Sequence, residues 1–158
     1  MKRALTLIEL LVVVAIVAIL AAIALPNFLQ AQTRAKVSRA AADLRTLRVA
    51  LEAYAVDEGT YPLNAGGLGL TGALENLLQP RAYLSALPRD PFLRNAGYAY
   101  LAPGRLSALA DNPFGAWVLY SVGPDMRPQT TLSDSLRYDP TNGTVSTGDV
   151  STSHRPSG

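Results

Sequence analysis

The chain opens on an almost unbroken apolar run. From Leu10 to Leu25 no side chain is polar, and counted from Leu5 the run is 21 residues long, with Thr6 and Glu9 as its polar members. As a helix it would extend roughly 31 Å, close to the hydrocarbon thickness of a bilayer. Beyond Pro26 the pattern changes rather than stops. Val37, Ala41, Leu44, Leu47, Leu51, Tyr54 and Ala55 recur mostly at spacings of three and four, which draws one apolar stripe on an amphipathic helix. Gly59 is placed to cap it. The pattern predicts one helix of roughly 80 Å from about Leu5 to Glu58, its first half in lipid and its second half packed on a domain. Pro26 removes one backbone hydrogen bond from it and favours a bend.

After "DEGTYP" the texture becomes that of loops and short elements. Residues Asn64–Gly72 read as a glycine-rich connection, Ala73–Leu78 as a short helix, and Gln79–Phe92, with three prolines, as irregular chain. Tyr98–Leu101 and Ala116–Val122 are strand-like, and Asn142-Gly143 marks a turn in a hairpin across Leu136–Val145. The polar end, 151–158, is expected to be a disordered tail. The fold class expected is therefore α+β, one very long N-terminal helix packed on a small antiparallel sheet.

A length of 158 residues allows one modest domain besides the apolar segment. The net charge of +2 gives no footprint for a nucleic-acid binder, which needs clustered positive charge. Arg34, Lys36, Arg39, Arg45 and Arg48 form the densest basic group; Asp43 interrupts it, and it reads as a solvated helix face. The chain has no cysteine, so disulfides, thiolate metal sites and a cysteine nucleophile are excluded. By count, Lys2 and Arg3 against Arg34, Lys36 and Arg39 leave the orientation of a spanning helix open. A secretory signal cut after "AIA" (Ala22–Ala24) is the rival to a permanent span, against which Glu9 argues.

Candidate chemistry is sparse. Gly67 to Gly72 match G-x-G-x-x-G, but no strand precedes them and no βαβ unit surrounds them, so a flexible loop is the reading. His154, the only histidine, falls in the polar tail, where nothing is expected to orient it for catalysis. No catalytic residue is assigned and no enzyme is expected. The stretch "YSVGPDMR" (Tyr120–Arg127), with Asp134, Asp139 and Asp149 nearby, offers hard oxygen ligands in loops, the kind Ca2+ takes. A lone carboxylate in a membrane core costs roughly 2.5–3.5 kcal/mol, so Glu9 asks for a partner from outside its own span.

The stretch "ALTLIELLVVVAIVAILAAIALPNFLQAQ" resembles the N-terminus of type IV prepilins and of the pseudopilins of type II secretion. "YP" at Tyr61-Pro62, "LPRDPF" at Leu87–Phe92 and "YSVGPD" at Tyr120–Asp125 look like the major, G-type pseudopilin. The resemblance implies a leader of residues 1–4 cut between Ala4 and Leu5 by a prepilin peptidase, which then methylates the new amine. The family usually has Gly before the cut and Phe after it, so both positions depart from the pattern. It implies that Thr6, Glu9 and Pro26 serve assembly, with Glu9 pairing to the amine of a neighbouring subunit. Residues 5–25 would be the membrane and filament-core helix, 26–58 its amphipathic continuation, and 59–150 a pilin-like domain. It also implies a structural Ca2+, with Ser121 and Asp125 matching the loop motif and Asp134 as a further candidate. The implied partners are other copies of the chain in a helical filament, minor pseudopilins or pilins, the peptidase, an inner-membrane assembly platform and, before assembly, membrane lipid; no nucleic acid is expected. The implied location is the bacterial inner membrane, single-pass, with the N-terminus cytoplasmic and the domain periplasmic or extracellular. The alternative within this resemblance is a type IV pilus pilin for adhesion, twitching or DNA uptake. A signal-anchored binding module and a membrane-anchored enzyme are the readings outside it.

Overall fold

The computed structural model describes residues 6–63, 72–93, 96–101, 115–127, 138–139 and 148–154. One helix, α1, runs from Leu7 to Glu58 without interruption. Its 52 residues make it roughly 78 Å long. Thr6 is its N-cap, and the chain leaves it at Gly59, whose left-handed φ of 72° lets its N–H donate to the Ala55 carbonyl. A Cβ there would meet no atom, so the requirement for glycine is conformational rather than steric.

The two halves of α1 differ in what they touch. No residue from Leu7 to Gln32 is buried or even half-buried, and large apolar side chains such as Ile8, Leu20, Ile23 and Phe28 stand exposed. The second half buries Ala40, Leu44, Leu47, Ala50 and Leu51. Of the stripe read from sequence, Leu44, Leu47 and Leu51 are buried and Val37, Ala41, Tyr54 and Ala55 partly so. Ala40 and Ala50 complete the face, because small side chains let the domain approach the helix axis closely.

Against that face lies a three-stranded antiparallel sheet in the order β1 (Ala99–Leu101), β2 (Val118–Ser121) and β3 (Val150–Ser153). Leu119 faces Tyr100 in β1 and Thr152 in β3. A 3-10 helix, Gly72–Leu77, closes one side with Ala73, Leu74 and Leu77 inward. Trp117, Tyr98, Tyr100 and Leu119 fill the space between sheet and helix. This is the α+β arrangement expected, and the strands at 99–101 and 118–121 lie inside the runs read as strand-like. The hairpin read across Leu136–Val145 lies almost wholly outside the described residues; within it, Tyr138 donates its N–H to the Asp149 carbonyl at 2.9 Å.

The reading of 151–158 as a disordered tail requires correction for its first four residues. Ser151–Ser153 belong to β3, and Ala116 and His154 bond with each other's neighbourhood through Ala116 N–H to the His154 carbonyl and His154 N–H to the Trp117 carbonyl. The ladder to β2 supplies the ordering that these polar side chains do not.

Tyrosine hydroxyls fasten the domain to the acids of α1. Tyr98 donates to Asp43 at 2.8 Å, Tyr61 to Glu52 at 2.8 Å, and Tyr83 to Asp57 at 3.0 Å, where Arg81 adds a 2.9 Å contact. Burial, with Asp43 beside it, raises the pKa of Tyr98; burial raises that of Tyr100; burial and then Asp149 raise that of Tyr120. Above pH 10 the unfolded chain loses these protons while the folded chain keeps them, so stability present below pH 10 is lost as pH rises. Each tyrosine held neutral adds about 1.4 kcal/mol per pH unit to the slope. The urea midpoint of the domain is therefore expected to hold between pH 8 and 9.5 and to fall steeply above 10, and Tyr98→Phe should make that fall shallower.

Candidate functional site

The N-terminal end of α1 answers part of the question Glu9 poses. Its carboxylate accepts hydrogen bonds from the Thr6 N–H at 2.9 Å and the Thr6 hydroxyl at 2.8 Å, while the Glu9 N–H donates back to that hydroxyl at 3.3 Å. This is a capping box, in which two backbone donors left over at a helix start are satisfied reciprocally. The acid at the third helical position also sits at the positive end of the helix dipole. Glu9 thus has a partner within its own chain, contrary to the expectation that nothing in the span would engage it. Hydrogen bonds from Thr6 leave its negative charge uncancelled, so the case for an outside cation stands. Ala4 and Leu5 lie outside the described residues.

Pro26 sits inside α1, which continues through it as a single element. Polar side chains at this level turn back on the helix. The Asn27 amide donates to the Ile23 carbonyl at 3.2 Å, and the Thr33 hydroxyl to the Leu29 carbonyl at 3.0 Å. Each is satisfied within the helix, as Thr46 is by the Ala42 carbonyl in the docked half, and for Asn27 this suits a place inside hydrocarbon. By length and composition α1 is able to cross a membrane, and none of its most apolar 18-residue stretch is buried in the domain.

The second candidate region is the turn after β2. Ser121 is fully buried, and its hydroxyl accepts from the Gly123 N–H at 3.4 Å. Asp125 accepts the Arg127 N–H at 3.1 Å. Gly123 has φ 69°, and a Cβ there would come within 2.6 Å of the Gly148 carbonyl oxygen, so the turn lies directly on the residues that lead into β3. Asp149, the next residue, is fully buried. Oxygen donors are the right chemistry for Ca2+, which takes six to eight of them. Among the described residues no three His, Asp or Glu side chains gather closely enough to hold a metal, and Asp134 lies outside the described residues. The donor type fits; a complete ligand set would have to draw on carbonyls and on other segments of the chain.

Sequence reasoning missed a third cluster. His154 Nδ1 lies 3.0 Å from Glu52 Oε1, and its ring tilts against Tyr61 at 5.6 Å and Trp117 at 6.2 Å. It ties the end of β3 to α1. Glu52, Tyr61 and Trp117 are the side chains that the described contacts place against it, and together they clamp the strand end to the helix.

A helix with one half bare and apolar, capped through Thr6 and Glu9, and the other half docked on a small antiparallel sheet defines the class: a pilin-like subunit. Residues 27–136 match the family model of type II secretion system protein G, and residues 1–25 match the prokaryotic N-terminal methylation motif. The chain belongs to the type II secretion system protein G family. It is 32% identical over 135 residues to the type II secretion system core protein G of Dickeya chrysanthemi, covering 82% of each chain. It is 38% identical over 126 residues to that of Pseudomonas aeruginosa, covering 76% of this chain and 82% of the relative. The type IV major pilin PilA of Myxococcus xanthus is 40% identical over a shorter stretch of 95 residues, 60% of this chain and 42% of the relative.

Proposed function

We propose that this chain is the major pseudopilin of a type II secretion system, a structural subunit processed by a prepilin peptidase and polymerised through α1 into a filament that drives export of folded proteins. The observation that carries it is the bare apolar half of α1 beneath a packed domain. Lipid covers that surface in the membrane, and neighbouring helices cover it in a filament. Cleavage between Ala4 and Leu5 would create an α-amino group, and methylation would leave it charged. Glu9 of one subunit then meets the amine of another, so a subunit is favoured only in the register where the charges pair. The chain supplies no catalytic step. We further propose that the N-terminus faces the cytoplasm and the domain the periplasm. The pilus reading is the alternative, and the longer coverage of the secretion relatives favours the first. Removal of this chain from its host should abolish export of folded proteins and leave surface pili intact; loss of pili with export intact would select the alternative.

We propose in addition that Ca2+ binds the turn after β2, with Ser121 and Asp125 among its ligands and Asp134 as a third. The cation would crosslink loops that carry no disulfide. Bound at a hundredfold excess over its dissociation constant, a ligand adds about 2.7 kcal/mol to stability. For a domain of this size that is worth roughly 10–20 °C. Chelation should lower the melting temperature of the parent by this order and leave Asp125→Ala, already lowered, unchanged. Equal melting of the parent with and without chelator would contradict the site.

A further inference from the structure

The junction between the bare and the docked halves of α1 carries basic residues on opposite faces. Arg34, Lys36 and Arg39 are exposed, and the sequence holds no acidic residue between Glu9 and Asp43. At about 100° per residue, Lys36 lies roughly 200° and Arg39 roughly 140° around the axis from Arg34. Lys36 and Arg39 thus lie about 60° apart with Arg34 opposite them, a two-sided collar rather than a stripe. A stripe suits one partner surface, whereas a collar suits surroundings that are alike on every side.

Its height along α1 points the same way. The exposed apolar surface of α1 runs from Leu7 to Leu29, a rise of roughly 33 Å that is close to the thickness of a hydrocarbon core and contains Glu9, and Arg34 comes roughly 7.5 Å later. Helical Cα–Cβ bonds tilt toward the N-terminus, so these long side chains lean back toward the membrane boundary. The domain closes down at this level: the Lys36 ammonium stands 6.0 Å from the centre of the half-buried Phe92 ring.

The neighbouring acids are withdrawn. Asp90, in the same loop as Phe92, is only 2% exposed and accepts the Phe92 N–H at 2.8 Å. Asp43, one turn above Arg39, is occupied by the Tyr98 hydroxyl at 2.8 Å, and its approach to Arg39 is a loose 3.8 Å with the arginine 69% exposed. Arg34 and Lys36 have no ion pair among the described residues.

We propose that Arg34, Lys36 and Arg39 form a collar that binds the phosphate oxygens of anionic phospholipids in the leaflet beneath the domain, holding the subunit at a fixed depth before assembly. The collar continues directly from the membrane-spanning surface, and its charge complements that of the headgroups. This rests on the reading of α1 as a membrane span. Each basic residue near an anionic surface contributes about fivefold to the preference.

The test places the full chain and its Arg34→Gln/Lys36→Gln/Arg39→Gln variant in nanodiscs of equal phosphatidylglycerol and phosphatidylcholine. The lipids that stay bound are then counted by native mass spectrometry after mild stripping, with fluorescence of the buried Trp117 reporting the fold. The parent should retain phosphatidylglycerol over phosphatidylcholine by tenfold or more, and the variant should retain them about equally. A parent without preference overturns the proposal, and so does a variant that keeps it. Unchanged lipid retention with lost self-association would assign the collar to contact between copies and overturn it too. A chain that fails to enter the discs contradicts the membrane reading itself and takes the proposal with it.

Discussion

Replacing Glu9 by glutamine should reduce filament yield by at least tenfold while leaving the subunit folded and in the membrane. Glutamine at the third helical position still closes a capping box with Thr6, so the helix start survives and only the charge is lost. Two effects then act in the same direction. The membrane-inserted monomer is stabilised, because a carboxylate no longer resists hydrocarbon, and the assembled state is destabilised, because the neighbour's amine loses its counter-ion. A combined change of 2 kcal/mol is about thirtyfold in the assembly equilibrium. Thr6→Ala removes the cap and keeps the charge; its cost is that of a cap, about 0.5–2 kcal/mol, and assembly should be weakened rather than lost. If Thr6→Ala were the worse of the two, Glu9 would matter for its cap and not for its charge.

The second large effect is expected at Trp117. It is fully buried where sheet and helix meet, edge-on to Tyr61 at 6.2 Å. Truncation to alanine costs roughly 3–5 kcal/mol. Small domains are stable by only about 5–15 kcal/mol in total, so much of the domain's stability goes with it. Hydrogen exchange on the full chain in detergent should show β1, β2 and β3 exchanging freely in Trp117→Ala while the apolar half of α1 stays protected, since nothing in the domain covers that half. Trp117→Phe keeps a large aromatic ring in the same space and should keep most of the protection.

These predictions draw on parts of the molecule that were unequally legible in the sequence. The unbroken run Leu10–Leu25, the stripe through Leu44, Leu47 and Leu51, and Gly59 as cap are local signals, and each marks what the helix does. Short strands flanked by apolar residues, at 99–101 and 118–121, were legible for the same reason. The strand at Val150–Ser153 was not: "VSTS" has little to bury, and its order comes from pairing with β2, a contact about 30 residues away in sequence. His154 follows from β3, since it meets Glu52 only once the strand has brought it across the domain. The capping box is a different case. T-L-I-E carries the serine-or-threonine to glutamate spacing of that motif, so the partner of Glu9 was legible in the sequence itself.

The central claim, a processed subunit assembled through α1, is tested most directly by the intact mass and N-terminal residue of the protein purified from its native membranes. The account predicts a chain beginning at Leu5 and carrying one added methyl group. A chain still beginning at Met1 would contradict it, leaving Glu9 with Thr6 as its only partner and no amine for a neighbour to offer.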